Sequence, residues 1–319
     1  MRILLAIALA LVTWSSTAAE NFPEKQINVV VTFPPGGVTD AIGRLLADGL
    51  RERYDENVVV ENRDGASGIV GTSYFLNLPR DGYSMMVGGF GSHLLPPLVM
   101  SDYPYDVREE LVPLALVAEF VNVMIVNKDL PVETVADFVE YAKERPGELN
   151  FGSSGVAASN HLTAELFMLE TGIEMVHVPY GGEGEAIGDL RAGAIDVIFS
   201  NLPSAAGHIE AGNVRALGVT SSYQVDALPD VPTIAESGNM PDFAVTSWVG
   251  IYGSAGMPDD LAEYLGNVIA EFTQEEATQE ALRRINFEPV GLNSQEFSEF
   301  VDAEFERWSE VVEAAGVRQ

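Results

Sequence analysis

The 319-residue chain contains no cysteine. Disulfides, thiolate metal sites and cysteine nucleophiles are excluded, and so is a lipid-attachment cysteine behind a leader. Positive charge is scarce as well: 17 Lys and Arg stand against 48 Asp and Glu, and lysine occurs only at 25, 128 and 143 beyond the first residues. A field of this sign repels nucleic acid and anionic membrane surfaces, so neither is expected as a partner. The acidic residues are scattered, as in EEATQEALRR, rather than blocked. They read as a surface adapted to salty surroundings, with an acidic docking face as the alternative. Four dispersed histidines offer no zinc spacing. There is neither a P-loop nor a dinucleotide G-x-G-x-x-G after a strand, so no metal and no cofactor is expected. After the first residues, no apolar run reaches the roughly 18 residues that a membrane span needs.

What the chain does have begins with MRILLAIALALVTWSSTAAE. Arg2 supplies a positive start, Ile3 to Val12 an apolar stretch too short to span, and Ser15 to Ala19 a small-residue segment. This order reads as a secretory signal peptide over residues 1–19, cut after Ala18 or Ala19. Loss of Arg2 leaves 16 − 48 = −32 charges on the mature chain. Together with the missing cysteines, this predicts a freely diffusing periplasmic protein.

Strand-like and helix-like segments then alternate. QINVVVTF (26–33), NVVVEN (57–62) and YSMMVGG (83–89) read as strands, with TDAIGRLLADGLRERY as a helix between the first two. LALVAEFVNVMIVN is a long apolar strand. From LNFGSS (149–154) the alternation restarts through EMVHVPY, AIDVIFSN and VRALGVTS, and two long helices close the chain. Alternating strands and helices imply an α/β fold with parallel sheets. Two separate series suggest two domains, residues 20–122 plus 246–319 and residues 123–245. The crossings fall in the long apolar strand and near TSWVGIYG (246–253), with a cleft between the lobes.

Two strand-to-helix junctions are rich in glycine and hydroxyls. In FPPGGVTD (33–40), Gly36 and Gly37 let backbone approach a ligand, the two prolines stiffen the turn, and Thr39 and Asp40 occupy the first helical turn. FGSSGVAASNH (151–161) brings Ser153, Ser154, Gly155 and Ser159 to a second helix start. Helix N-termini present free N–H groups and a positive dipole end, which suit a carboxylate. Each junction can equally be an ordinary capped helix, with Thr39 or Asp40 as the cap in the first. In so acidic a protein, an anion has to be held by short-range neutral donors. An enzyme reading casts Ser154 as nucleophile with His161 or His177 and Asp196 behind it. Gly152-Ser153-Ser154-Gly155 lacks the G-x-S-x-G elbow, and His177 lies in a strand-like segment, so binding is preferred to catalysis.

The ordered series FPPGGVTD, VVVENRDGASGIVG, RDGYSMMVGG, FGSSG, HLTAELF, HVPYGG, DLRAGAIDVIFSN, VRALGVTS, LPDVPTIAESG and SWVGIYG resembles the Bug family, the periplasmic receptors of tripartite tricarboxylate transporters. The resemblance runs from about Pro23 to the final helix. It implies a two-lobed α/β receptor of the Venus-flytrap type, type II-like, with a double inter-domain crossing. It also implies a small carboxylate ligand held by two loops, and a membrane permease of one large and one small subunit as partner. Carried over by residue, Phe33, Gly36, Gly37, Thr39 and Asp40 belong to the first loop, and Ser153, Ser154, Ala158 and Ser159 to the second, with His161 just inside its helix. Tyr180 and Asp196 border the cleft at later strand ends, with a strand-end hydrogen bond as the alternative for Asp196; Phe90 covers the ligand, and Asn201 is a further contact. Where the family usually shows Lys or Arg and a Pro after HVPY, this chain has GGEGEA (181–186). A second ligand carboxylate is less welcome there than a neutral or amine group. A ligand-presenting sensor is the alternative role, and a monomer the expected state.

Overall fold

The computed structural model describes residues 22–315. The leader read over residues 1–19 lies outside them. The first series comprises β1 (Ile27–Val31), α1 (Val38–Tyr54), β2 (Val58–Asn62), α2 (Ile69–Leu76), β3 (Ser84–Gly89), α3 (Leu95–Val99) and α4 (Val107–Glu110). The long strand β4 (Leu111–Asn127) leads into α5 (Val135–Lys143), β5 (Leu149–Ser153), α6 (Ser159–Thr171), β6 (Met175–Pro179), α7 (Glu183–Ala192), β7 (Val197–Asn201), α8 (Leu202–Glu210), β8 (Val214–Val219) and α9 (Ile234–Ser237). The chain closes with β9 (Thr246–Ser254), α10 (Asp259–Gln274), α11 (Glu276–Arg284), β10 (Glu288–Leu292) and α12 (Ser294–Ala315).

The strands follow the order β2-β1-β3-β9-β4-β7-β5-β6, with β8 and β10 also pairing with β4. β1, β2 and β3 pair in parallel, as do β5, β6 and β7. The parallel expectation fails at β4 and β9, which pair antiparallel with their neighbours. The reason is topological: both strands carry the chain between lobes rather than along a βαβ crossover.

β4 is the shared spine, and its partners change along its length. Val121 lies opposite Thr246 of β9, whereas Asn122 lies opposite Asn201 of β7. Its residues from Leu114 to Ala118 and from Val123 to Val126 are buried, which is why it reads as an unbroken apolar run. Each fully buried Val, Leu or Ile contributes about 1.5–3 kcal/mol. At the switch, Thr220 ties the two crossings together. Its hydroxyl accepts from the Asn122 N–H (3.0 Å) and lies 2.7 Å from the Val245 carbonyl oxygen.

Helix α1 shows how the sequence positions the first loop. Val38, Ile42, Leu46 and Leu50 recur every four residues and are all buried, forming one apolar stripe against the sheet. Gly43 lets the helix lie close, because a Cβ there would come within 2.7 Å of Val31. The stripe fixes the start of α1 at the carboxyl end of β1.

Candidate functional site

A cavity of about 460 Å³ lies between the lobes at the carboxyl ends of the parallel strands. A larger hollow of about 660 Å³ opens beside Tyr103, Tyr105, Arg108 and Phe305. Its walls come from the first series and α12 only, whereas both lobes build the inter-lobe cavity. The lobes touch around that cavity. The Ser67 hydroxyl donates to the Val156 carbonyl. A Cβ on Gly91 would meet the Ser159 nitrogen at 2.9 Å, and one on Gly182 would meet Pro34 at 3.1 Å. These glycines are where the two lobes close on each other.

The first loop is held open by charge. Gly36 adopts φ +87°, a conformation that a side chain disfavours. Its N–H donates to Asp40 Oδ2 at 2.8 Å, where Arg44 Nε also donates at 2.9 Å. Asn62 Nδ2 donates to Asp40 Oδ1 and to the Phe33 carbonyl, both at 3.0 Å. Burial pushes the Asp40 carboxyl up, but these three donors outweigh it and hold it below the usual carboxylate value. Asp40 is therefore the brace of the loop, and the structure does not bring it into the cavity wall. The cap position of α1 is Gly37, which has no side-chain cap, so the first-turn N–H groups stay available. Thr39 lines the cavity, and its hydroxyl is buried with no hydrogen-bond partner among the described residues.

The second loop is held by neutral groups. Asn160 Oδ1 accepts from the Ser154 N–H (3.1 Å) and hydroxyl (3.2 Å). His161 Nδ1 accepts from the Ala157 N–H at 3.0 Å, holding Ala157 at φ +61°. The Ser153 hydroxyl lies 2.6 Å from His177 Nε2 and donates to the Gly155 carbonyl at 3.0 Å. His177 stacks on His161 with ring centroids 4.0 Å apart. Burial, then the neighbouring His161, lowers His177 to about 4. Ala158 is the cap position of α6 and has no side-chain cap either. A second helix N-terminus thus faces the cavity with its donors free.

Phe33, Gly36, Gly37, Thr39 and Phe90 line the cavity from the first lobe, and Ser154, Ala158, Ser159 and Asn201 from the second. Five expected contacts stand elsewhere. Asp40, Ser153 and His161 shape the loops from behind. Tyr180 borders a neighbouring hollow of about 300 Å³. Its hydroxyl donates to Asp189 at 2.9 Å, and burial, with that bond, raises it to about 12. Asp196 precedes β7, at the strand end away from the cavity, and accepts from the Asn150 N–H at 2.7 Å. The proposed catalytic trio is not assembled: Ser154 bonds Asn160, His177 meets Ser153, and Asp196 meets neither histidine.

The sequence reading missed Phe120 and Trp248, which the two crossing strands send into the wall, and His208 and Ser204 of α8. It also missed the part played by Glu183, which is 8% exposed and lies at the first position of α7. Glu183 Oε1 accepts from the Asn201 N–H (2.6 Å) and the Ser200 hydroxyl (2.8 Å), and Oε2 from Asn201 Nδ2 (2.7 Å). Burial pushes this carboxyl above its ordinary value, while the donors of Asn201, Ser200 and Ser204 pull the other way. No Lys or Arg lines the cavity.

Residues 42–317 match the model of the tripartite tricarboxylate transporter family receptor. The protein BugT of Bordetella pertussis is 34% identical over 302 residues, covering 94% of this chain and 92% of BugT. Among solved structures, R. palustris Rpa4515 with adipate superposes with a TM-score of 0.89 at 37% identity, covering 92% of this chain and 98% of that one. The periplasmic binding protein BugD gives 0.87 at 29% identity, covering 93% and 99%. With free helix N-termini from both lobes facing one cavity, and with this match along most of its length, the chain belongs to the tripartite tricarboxylate transporter receptor family, the Bug-type solute-binding proteins.

Proposed function

We propose that this receptor is exported to the periplasm, captures a small carboxylate between its lobes and delivers it to a permease of one large and one small subunit. The single observation that carries the ligand class is the pair of uncapped helices, α1 and α6, whose first turns face one cavity from opposite lobes. Such N–H groups favour a carboxylate without a formal positive charge. That suits a cavity lined by no Lys or Arg. The buried Thr39 hydroxyl supports the same reading, since leaving it unpaired costs about 1–3 kcal/mol that a ligand oxygen can recover. In this reading residues 20–122 with 246–319 form one lobe and residues 123–245 the other. A ligand touching both loops favours the closed arrangement because only closure brings them together. The adipate in Rpa4515 supports a carboxylate ligand in a relative of this kind.

The test is a thermal-shift panel of small carboxylates on protein stripped of bound ligand by unfolding and refolding. A ligand at about a hundred times its Kd stabilises the fold by about 2.7 kcal/mol. Thr39→Val should weaken the best ligand by about tenfold, while the unliganded variant is as stable as wild type or more so. If no carboxylate shifts the transition, the proposal is wrong.

A further inference from the structure

The cavity walls differ in charge. On one side stand donors, namely the first turns of α1 and α6 and the Thr39 hydroxyl. On the other side α7 and α8 also begin at the cavity, and a carboxylate of the protein itself takes the N–H of Asn201, the residue before α8. Glu183 Oε1 takes the Asn201 N–H and the Ser200 hydroxyl. Glu183 Oε2 takes Asn201 Nδ2 at 2.7 Å. A carboxylate only accepts, so the Asn201 amide must turn its NH₂ toward Glu183. Its carbonyl oxygen Oδ1 then faces Ser159, whose hydroxyl donates to it at 3.4 Å. Asn201 and Glu183 both line the cavity. The remaining charged side chain in the wall is Glu185, whose Oε2 accepts from the Gly181 N–H at 3.3 Å. The α7–α8 wall therefore sets two carboxylates and the Asn201 oxygen beside the donors of Ser204, His208 and the uncapped first turn of α7.

Resting on the carboxylate-receptor reading above, we propose that Glu183 sets the ligand class. By placing a carboxylate beside the α8 start and fixing the Asn201 carbonyl toward Ser159, it selects a small monocarboxylate that carries a hydrogen-bond donor, a hydroxyl or an ammonium group, and rejects the matching dicarboxylate. The carboxylate of such a ligand meets the α1 and α6 turns, and its donor meets Asn201 Oδ1. A second carboxylate would lie there against the like charge of Glu183 and Glu185.

Isothermal titration of the ligand-stripped chain tests this with length-matched probes: succinate against γ-hydroxybutyrate and γ-aminobutyrate, and adipate against ε-hydroxycaproate and ε-aminocaproate. At the length that fits, a hydroxy or amino acid should bind about a hundredfold or more tighter than the dicarboxylate. Glu183→Gln should narrow that gap by about tenfold or more. A glutamine that keeps its oxygen on the Asn201 N–H turns its own NH₂ toward the Asn201 side chain. The Asn201 amide then flips and presents a donor. If Glu183→Gln does not fold, the wild-type ranking alone decides. A dicarboxylate binding as tightly as its partners, or binding only of carboxylates without a donor, overturns this inference and leaves the receptor reading standing. Binding of no carboxylate at all overturns both.

Discussion

The two loops that face the cavity perform one task with different chemistry. Each must leave the first turn of a helix uncapped, which means that something else has to hold the loop. The first loop uses a buried carboxylate that gathers Gly36, Arg44 and Asn62. The second uses an amide and two imidazoles, with Asn160 and His161 reaching back to the N–H groups of Ser154 and Ala157. A charged brace concentrates its stabilisation in one residue, and a neutral one spreads it across several. The two loops should therefore differ in how they fail.

The largest difference should appear on truncation of the charged brace. Asp40 is 3% exposed. Asp40→Ala strands the Gly36 N–H and the Asn62 amide, for an expected loss of about 2–4 kcal/mol in urea unfolding. The ion pair contributes little of this, because the Arg44 side chain is 55% exposed. A loss below about 1 kcal/mol would remove the distinction between the loops. Asn160→Ala should cost less, about 1–2 kcal/mol, since its partners are neutral and the Ser154 hydroxyl can turn elsewhere.

The smallest effect is in the response to acid, and its pH window separates the loops. His177 binds its proton less readily in the fold than in the unfolded chain, where the value is about 6.5. The unfolded state thus holds more protons between that value and about 4, so stability falls as pH drops through this window. Asp40 is held below its ordinary value, so its contribution is present above that value and is lost only at lower pH. Thermal midpoints of His177→Asn should lose the upper part of the acid slope and keep the lower part. A slope unchanged by that substitution would place the sensitivity outside the second loop.

The legible part of this molecule was local. FPPGGVTD announces a strand, a turn and a helix, and the structure delivers β1 and α1 with Gly37 as an uncapped start. What the string could not reveal is which neighbour turns inward. Thr39 and Asp40 are adjacent, but a rotation of about 100° per residue sends one to the cavity and the other behind it. The same rotation places His161: at the third position of α6 its ring reaches back to the Ala157 N–H. Asp196, just before β7, sits at the strand end away from the cavity and makes the strand-end hydrogen bond to the Asn150 N–H. Phe120 and Trp248 carried no signal, because wall residues and core residues of a crossing strand have the same apolar character. Glu183 was visible as a charge, but its grip on Asn201 depends on the packing of two helix starts that are distant in sequence.

One feature of the sheet governs the order in which the molecule can be made. β9 sits between β3 and β4, yet it is synthesised only after the whole of the second lobe. Until Ser254 has emerged, β3 has no partner on that side, and the leading half of β4 also lacks β10. The second lobe is one continuous stretch and can complete its sheet first. The first must wait for pairings that span more than half the chain, the kind of distant closure that folds slowly. Along the chain, the pairings of the middle are therefore all available before those of the beginning, where β3 waits for β9.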